Sequence, residues 1–221
     1  TRFKQGCLSF QLIRQMKAEE AALNALLPSV LLRGTRNCPD LRSITEHLDE
    51  LYGASVSPLV RRVGDYQTTG LYCGFLEDRF ALSGDEILAP MMDFLREVLL
   101  EPVMENEGFD ISFVESEKKN LIATIESELN DKRAYAMGCL LKNMCRNDSF
   151  GLPRLGEKEQ VAAIDPKLLY DHYQKILRES PVEIFYVGSF DAEQVAALVK
   201  PIFGSVDRCY VNLPDQTGYH M

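Results

Sequence analysis

Histidine, cysteine and carboxylate side chains are the first candidates for chemistry, because they bind metals and transfer protons. The chain has three histidines, His47, His172 and His220. His47 and Glu50 lie three residues apart on a predicted helix, a spacing that places them on one face, and Cys38 is close in sequence. These groups could form a metal site. A solvated helix face is the simpler interpretation for His47 and also for His172, while His220 lies near the end of the chain.

The six cysteines form no Cys-x-x-Cys pair and occupy positions Cys7, Cys38, Cys73, Cys139, Cys145 and Cys209. A nucleophilic cysteine would need a neighbouring base and a lowered thiol pKa. Cys139 and Cys145 lie on a predicted helix with no histidine close in sequence. We therefore expect reduced thiols, mostly buried as small apolar groups, as in a cytosolic protein.

The charge balance excludes some partners. The chain carries 24 Lys and Arg against 33 Asp and Glu, a net charge of −9. Such an acidic chain is a poor ligand for nucleic acid, whose phosphates bind basic patches. The sequence contains no apolar run of the roughly 20 residues that a membrane helix needs. Residues 1–5 do not form a signal peptide. We expect a cytoplasmic protein with no membrane partner.

Hydrophobic periodicity predicts one α+β domain over residues 1–206, with 207–221 as a linker or tail. Alternating apolar residues predict strands at 3–13, 54–63, 67–76 and 182–187, with Gly64-Asp65 as a hairpin turn. Helical spacing predicts helices at 18–32, 40–52, 83 or 85 to 100, 107–145, 165–179 and 191–200, the fourth broken near Asn130-Asp131. This order predicts a mixed, mostly antiparallel sheet with helices packed on one face.

Pro28 lies inside the first predicted helix. A proline at this position removes a backbone donor and crowds the carbonyl of Asn24, four residues earlier. We therefore expect the helix to be kinked at Pro28 or to be divided into two short helices. Either arrangement would misorient side chains that project from its two halves.

Several short patterns, taken in order, resemble the inverted-zincin peptidases: pitrilysin, insulin-degrading enzyme and the mitochondrial processing peptidase. Residues 25–35 read Ala-Leu-Leu-Pro-Ser-Val-Leu-Leu-Arg-Gly-Thr, and Pro39 and the helix end at 51–54 (Leu-Tyr-Gly-Ala) follow. Active members have H-x-x-E-H in this frame. Glu117-Lys118 is similar to the pair that precedes the distal glutamate of the family. The resemblance covers roughly residues 3–205 and implies a metallopeptidase-like (LuxS and processing-peptidase) fold.

The resemblance also implies that the zinc site is lost. In the family, two histidines one helical turn apart and a distal glutamate bind zinc, and the intervening glutamate deprotonates the metal-bound water. Aligned on Gly34-Thr35, the first histidine is Ala25, the glutamate is Pro28 and the second histidine is Ser29. Aligned on Glu117-Lys118, the distal glutamate is Thr124. The resemblance therefore implies no catalytic residue and no zinc or other cofactor, although zinc is usual in the family.

A peptide-binding edge could survive the loss of zinc. In active relatives, an edge strand of this domain pairs with the substrate backbone by strand addition. Ala54, Ser55, Val56 and Ser57 precede Pro58, and proline is tolerated in strands only at edges or bulges. We expect these four residues to bind unfolded peptide. Glu117, two turns from Thr124, is expected either to line the remnant of the cleft or to be a surface carboxylate.

The closest resemblance is to bacterial non-catalytic members, some of them linked to elongation-factor P modification. Such domains occur in pairs that enclose a peptide chamber, so the expected partner is a second homologous domain or an active H-x-x-E-H subunit, with homodimers as a further option. The chain does not begin with Met, which is compatible with a place in the N-terminal half of a longer one. Two alternatives stay open: a metallopeptidase or other hydrolase with relocated ligands, and a stand-alone peptide-binding scaffold.

Overall fold

The first strand of the chain lies inside a four-stranded sheet. In the computed structural model, which describes residues 3–209 and 211, β1 (Gln5–Gln15) pairs with β3 (Tyr66–Leu76) and with β6 (Val182–Val187). β2 (Ser55–Val63) pairs with β3, giving the order β2-β3-β1-β6. Every pairing among these strands is antiparallel. The α+β class and the mostly antiparallel sheet are confirmed, and the described sheet is more regular than the mixed one expected.

Alternation along the strands divides the sheet into two faces. Leu8, Phe10 and Leu12 of β1 are buried, and their register partners on β3 include Leu71 and Cys73, which are also buried. We call this side the inner face. Residues of opposite parity, such as the exposed Phe185 of β6, lie on the outer face. The apolar core lies between the inner face and the helices, as the period-two pattern requires.

Outside the sheet, the described residues form α-helices, a small hairpin and short 3-10 turns. The helices are α1 (Ala18–Leu31), α2 (Leu41–Glu50), α3 (Leu88–Leu100), α4 (Ile111–Ser127), α5 (Lys132–Met144), α6 (Lys158–Ala162), α7 (Pro166–Glu179) and α8 (Ala192–Gly204). The hairpin pairs β4 (Met104–Glu105) with β5 (Gly108–Phe109). α1 packs across β2 and β3, α7 packs on β1, and Phe203 of α8 stacks on Phe10 of the inner face. No helix in the described ranges combines the length and apolar character needed to span a membrane.

α1 is continuous through Pro28, so the division into two short helices is wrong. The physical reason is that the carbonyl freed by the proline has another donor. Pro28 cannot donate to the carbonyl of Asn24, and the hydroxyl of Thr69 on β3 donates to it instead, at 2.6 Å. Side chains on both sides of Pro28 therefore project from one continuous helix.

Local capping chemistry explains the other boundaries. Asp40 caps α2 in a reciprocal capping box with Ser43, as predicted from Asp40. Asp131 caps α5 after a short 3-10 turn, which confirms the break near Asn130-Asp131. α3 begins at Leu88 rather than at residue 83 or 85, because Asp78 accepts from the N–H groups of Ile87 and Leu88 and so caps the helix later.

The start of the predicted tail runs beside α7. The N–H of Cys209 donates to the carbonyl of Arg178 at 3.0 Å, and the N–H of Val211 is 3.4 Å from the carbonyl of Glu179. Residues 210 and 212–221, including His220, lie outside the described residues. The division between a domain at 1–206 and a tail at 207–221 therefore stays a prediction.

Candidate functional site

Of the four positions that the resemblance aligns with the zinc motif, three line one cavity of about 320 Å³. Ala25 and Ser29, one turn apart, reach it from α1, and Thr124 reaches it from α4. Glu117, two turns before Thr124, lines the same cavity. The remaining walls are Asn120 and Leu121 of α4, residues 58–61 of β2 and the pair Arg154-Leu155. Pro28 is buried in α1 and is not part of the wall.

The side chains of this cavity have little capacity for metal chemistry. Ala25 has no ligand atom, and the hydroxyl of Thr124 donates within α4 to the carbonyl of Asn120 at 2.9 Å. The Glu117 carboxylate lies 3.3 Å from the guanidinium of Arg33 and accepts a 3.2 Å hydrogen bond from Asn120. Its charge is therefore balanced by Arg33. Zinc usually needs three or four histidine, cysteine or carboxylate ligands, and this wall offers one carboxylate.

The alternative metal site around His47 does not assemble. The His47 ring lies 5.1 Å from the ring of Phe94, centroid to centroid. Burial, followed by the negative charge of Glu97, raises the pKa of the Cys38 thiol, which disfavours the thiolate that would bind metal. No group of three or more His, Cys, Asp or Glu in the described ranges has an arrangement that could hold a metal ion.

The expectation that the cysteines are mostly buried is wrong. Cys38 and Cys73 are buried, Cys7 and Cys145 are half-buried, and Cys139 and Cys209 are exposed. Cys73 fits the expected role, because burial raises the pKa of its thiol to about 12. Cys139 lies on α5, none of whose residues is buried.

A buried polar network behind the cavity was missed by the sequence reasoning, which assigned His172 to a solvated face. His172 on α7 is 6% exposed, and its Nε2 lies 2.7 Å from Oδ1 of Asn24 on α1. The amide nitrogen of Asn24 donates to Gln67 at 2.9 Å, so its oxygen faces His172 and the imidazole must donate from Nε2. Burial lowers the pKa of His172 to about 4, so the ring is neutral. The sequence did contain one indication that His172 is buried: it lies on the same helical stripe as the apolar residues Leu169 and Ile176.

β2 is an outer strand of the sheet, and the hairpin identifies its outward-facing groups. Gly64, at φ 59°, and Asp65 form a two-residue loop, so Val63 and Tyr66 are the hydrogen-bonded pair beside it. Pairs alternate along an antiparallel ladder, so every second residue of β2 turns its N–H and C=O away from β3. The outward-facing residues are Val56, Pro58, Val60 and Arg62.

The four predicted peptide-binding residues differ in where their main-chain hydrogen-bonding groups point. The N–H and C=O of Val56 point away from β3. Ser55 and Ser57 are exposed, but their main-chain groups point toward β3. Ala54 is buried and precedes β2, and its N–H donates to the carbonyl of Leu48 at 3.0 Å. A strand added to this edge would therefore pair with Val56 and with the carbonyl of Pro58.

A second surface feature is the apolar side of α5. No residue of α5 is buried. Met137, Leu140 and Met144 are 56%, 50% and 73% exposed. Their spacing of three and seven residues places them on one side of the helix. An exposed apolar patch on a helix often marks a surface that contacts another protein.

Known metalloprotease-related proteins resemble the chain in sequence and in fold. The chain is 29% identical over 207 residues to the "Probable inactive metalloprotease YmfF" of Bacillus subtilis (strain 168), covering 94% of this chain and 49% of that protein. Its fold matches the crystal structure of a peptidase M16 inactive domain from Pseudomonas fluorescens, with a TM-score of 0.71, 13% identity and coverage of 96% and 48%. It also matches pitrilysin, with a TM-score of 0.66, 16% identity and coverage of 96% and 22%. No family model matches the sequence.

These likenesses confirm the resemblance drawn from the sequence. The chain has the fold of the pitrilysin-type inverted zincins and is similar in sequence to a protein named as a probable inactive metalloprotease. It spans about half the length of the curated relative that it matches.

Proposed function

We propose that this chain is a peptidase-like domain that does not hydrolyse peptides itself and that encloses a peptide chamber together with a second homologous domain or an active H-x-x-E-H subunit. The observation that carries the proposal is the cavity in which Ala25, Ser29 and Thr124 converge. Three positions from two helices meet there, and none of the three has a zinc-binding group. The name of the Bacillus subtilis relative, a probable inactive metalloprotease, supports the same interpretation.

A role in holding peptide is supported by the edge of β2. An extended chain that pairs with Val56 and Pro58 would lie along the outer strand of the sheet, beside the cavity. Main-chain hydrogen bonds would supply affinity with little sequence preference, as in other strand-addition sites. The domain would thus position substrate for chemistry that takes place on a partner.

A role in assembly is supported by α5. The curated relative has about as much chain again as this one, and an inactive domain needs a catalytic partner to contribute to proteolysis. The side formed by Met137, Leu140 and Met144 has the apolar character of a stable protein–protein contact. We assign this side of α5 to contact with the partner.

The test combines the purified chain with an H-x-x-E-H homologue from the same source and measures hydrolysis of an unfolded peptide by that homologue. We expect the chain to bind the homologue and raise its rate, and the pair Met137→Glu and Leu140→Glu to abolish both effects. Ile111→Glu, which changes an exposed apolar residue on α4, is the matched control and should have no effect.

Two results would overturn the proposal in different directions. A chain that neither binds the homologue nor changes its rate would instead be a stand-alone scaffold. Chelator-sensitive hydrolysis by the chain alone would identify a peptidase with relocated ligands.

A further inference from the structure

The hairpin half of the β2 edge is covered by residues 149–156, here called the covering loop. The guanidinium of Arg62 donates to the carbonyls of Leu152 and Ser149, at 2.8 and 2.7 Å. It also lies over the ring of Phe150, 4.3 Å from the centroid. The buried side chain of Gln67 donates to the main-chain carbonyl of Arg154 at 2.7 Å. These contacts fix the covering loop against the end of the sheet.

The side chain of Arg154 returns from this loop to the edge itself. Its Nη1 donates to the carbonyl of Val60 at 2.9 Å, and Val60 is one of the residues whose main-chain groups face outward. One of the acceptors that an added strand would use is therefore already occupied. Pro58, the preceding outward residue, has no N–H to donate. The open part of the edge thus extends from Val56 to the carbonyl of Pro58 and ends at Arg154.

This geometry distinguishes a chain end from a chain interior. An extended polypeptide paired with Val56 could not continue past Pro58 without displacing Arg154 and meeting the covering loop. A polypeptide that ends at this point keeps its pairing and meets no obstacle. The closed end of the edge therefore favours a terminus.

The charge at the closed end selects which terminus. Nη1 of Arg154 donates to the carbonyl of Val60. Within the described part of the chain, this leaves Nε and Nη2 of the same guanidinium to bind an anion. Arg61 lines the same cavity, and the one carboxylate there, Glu117, is paired with Arg33. A carboxylate is complementary to this end, whereas an ammonium group is not. A chain running parallel to β2 would place its C-terminal carboxylate here.

The cavity supplies a place for one side chain of such a ligand. It has a volume of about 320 Å³, and its walls include the apolar Leu121 and Leu155 beside the hydroxyl of Ser29. Alternate residues of an added strand face the same side, so a residue near the terminus would point into it. The cavity is large enough for an aliphatic side chain.

We propose that the β2 edge binds the C-terminal end of an extended polypeptide, with the terminal carboxylate on Arg154 and a nearby aliphatic side chain in the cavity. The inference rests on the peptide-holding role proposed above and narrows it from any unfolded peptide to one with a free C-terminus. Arg154 would then have two roles, since it both closes the edge and recognises the end of the ligand.

The test uses two N-terminally fluorescein-labelled hexapeptides of sequence Ser-Val-Ser-Val-Ser-Leu, one a free acid and the other a C-terminal amide, with fluorescence anisotropy as the readout. We expect the acid to bind the whole chain about tenfold more tightly than the amide, as a charge-assisted hydrogen bond at an exposed site gives. Arg154→Gln should bring the two affinities together, and Arg154→Lys should preserve part of the difference. Arg146→Gln, which removes a positive charge outside the cavity wall, should leave the difference unchanged.

The failures are distinguishable. Equal binding of acid and amide to the wild-type chain would overturn the C-terminal inference and leave the peptide-holding role intact. An acid preference that survives Arg154→Gln would overturn the assignment to Arg154. Absence of binding by both peptides would overturn the inference together with the peptide-holding role on which it rests.

Discussion

The hydroxyl of Thr69 donates a 2.6 Å hydrogen bond to the carbonyl of Asn24, the acceptor that Pro28 leaves without a helical donor. Both residues are buried, and they belong to β3 and α1. A bond between strand and helix thus replaces a bond within the helix. It allows a proline at the position that the resemblance aligns with the catalytic glutamate of the inverted-zincin peptidases.

Thr69→Val should therefore destabilise the chain. The carbonyl of Asn24 would be left buried and unpaired, at a cost of about 1–3 kcal/mol in the free energy of unfolding. In a Pro28→Ala background the cost should be smaller, because the restored N–H can satisfy Asn24. Urea denaturation of the two single variants and the double variant measures the coupling between Thr69 and Pro28.

Thr68→Val is the matched control: the Thr68 hydroxyl is buried with no partner among the described residues, so its removal should cost little. If Thr68→Val and Thr69→Val lowered the free energy of unfolding equally, the role assigned to the Thr69 hydroxyl would be contradicted.

Stability should depend on pH through His172. The pKa of this residue is about 4 in the folded chain against an ordinary value of 6.5, chiefly because the ring is buried. Between these values the unfolded chain binds the extra proton, so the free energy of unfolding falls as the pH falls. The loss between pH 7 and pH 5 should be about 2 kcal/mol.

The control for this prediction is His172→Gln, whose amide can still donate to Asn24 but does not titrate. Its stability should be nearly independent of pH over the same window. Glu20 does not interfere, because hydrogen bonds and charges from Lys175 and Arg14 outweigh burial and lower its pKa below 4.5, so its contribution is lost only in more acidic solution. A wild-type chain and a His172→Gln variant with the same slope between pH 7 and pH 5 would exclude His172 as the cause.

Zinc binding should be restorable at the cavity. Because α1 is continuous, Ala25→His and Ser29→His would place two imidazoles one turn apart on the same wall of the cavity. Two ligands should bind zinc weakly. Adding Thr124→Glu should raise the affinity by about two orders of magnitude, because it completes a three-ligand set.

Competition with a chromogenic chelator measures these zinc affinities. Thr124→Gln, which has the same size but no carboxylate charge, is the control for Thr124→Glu and should add little. Pro28→Glu should not raise the affinity, since that position supplies a base rather than a ligand. If the third substitution had no effect, Thr124 would not lie opposite Ala25 and Ser29.

Short-range chemistry made much of the fold predictable. Asp40 before α2, Gly64-Asp65 in the hairpin and Asp131 before α5 act within a few residues, so their effects can be read from the sequence. The convergence of Ala25 and Thr124 was not available from local patterns. It was expected only from the resemblance, which aligns these two positions with zinc ligands of the inverted-zincin family.

The features that the sequence reasoning missed depend on contacts between distant parts of the chain. Arg154 reaches Val60 across 94 residues, and His172 reaches Asn24 across 148. Neither pair has a spacing signal. The Thr69 bond similarly keeps α1 continuous against the local preference of Pro28. In each case a tertiary contact outweighs a local rule, and only the assembled fold brings the partners together.

The most direct test of the loss of catalysis is the zinc content of the purified chain after dialysis, measured by elemental analysis. The residues Ala25, Ser29 and Thr124 at the cavity lead us to expect well below one zinc per chain. One tightly retained zinc per chain would contradict the proposal of an inactive domain.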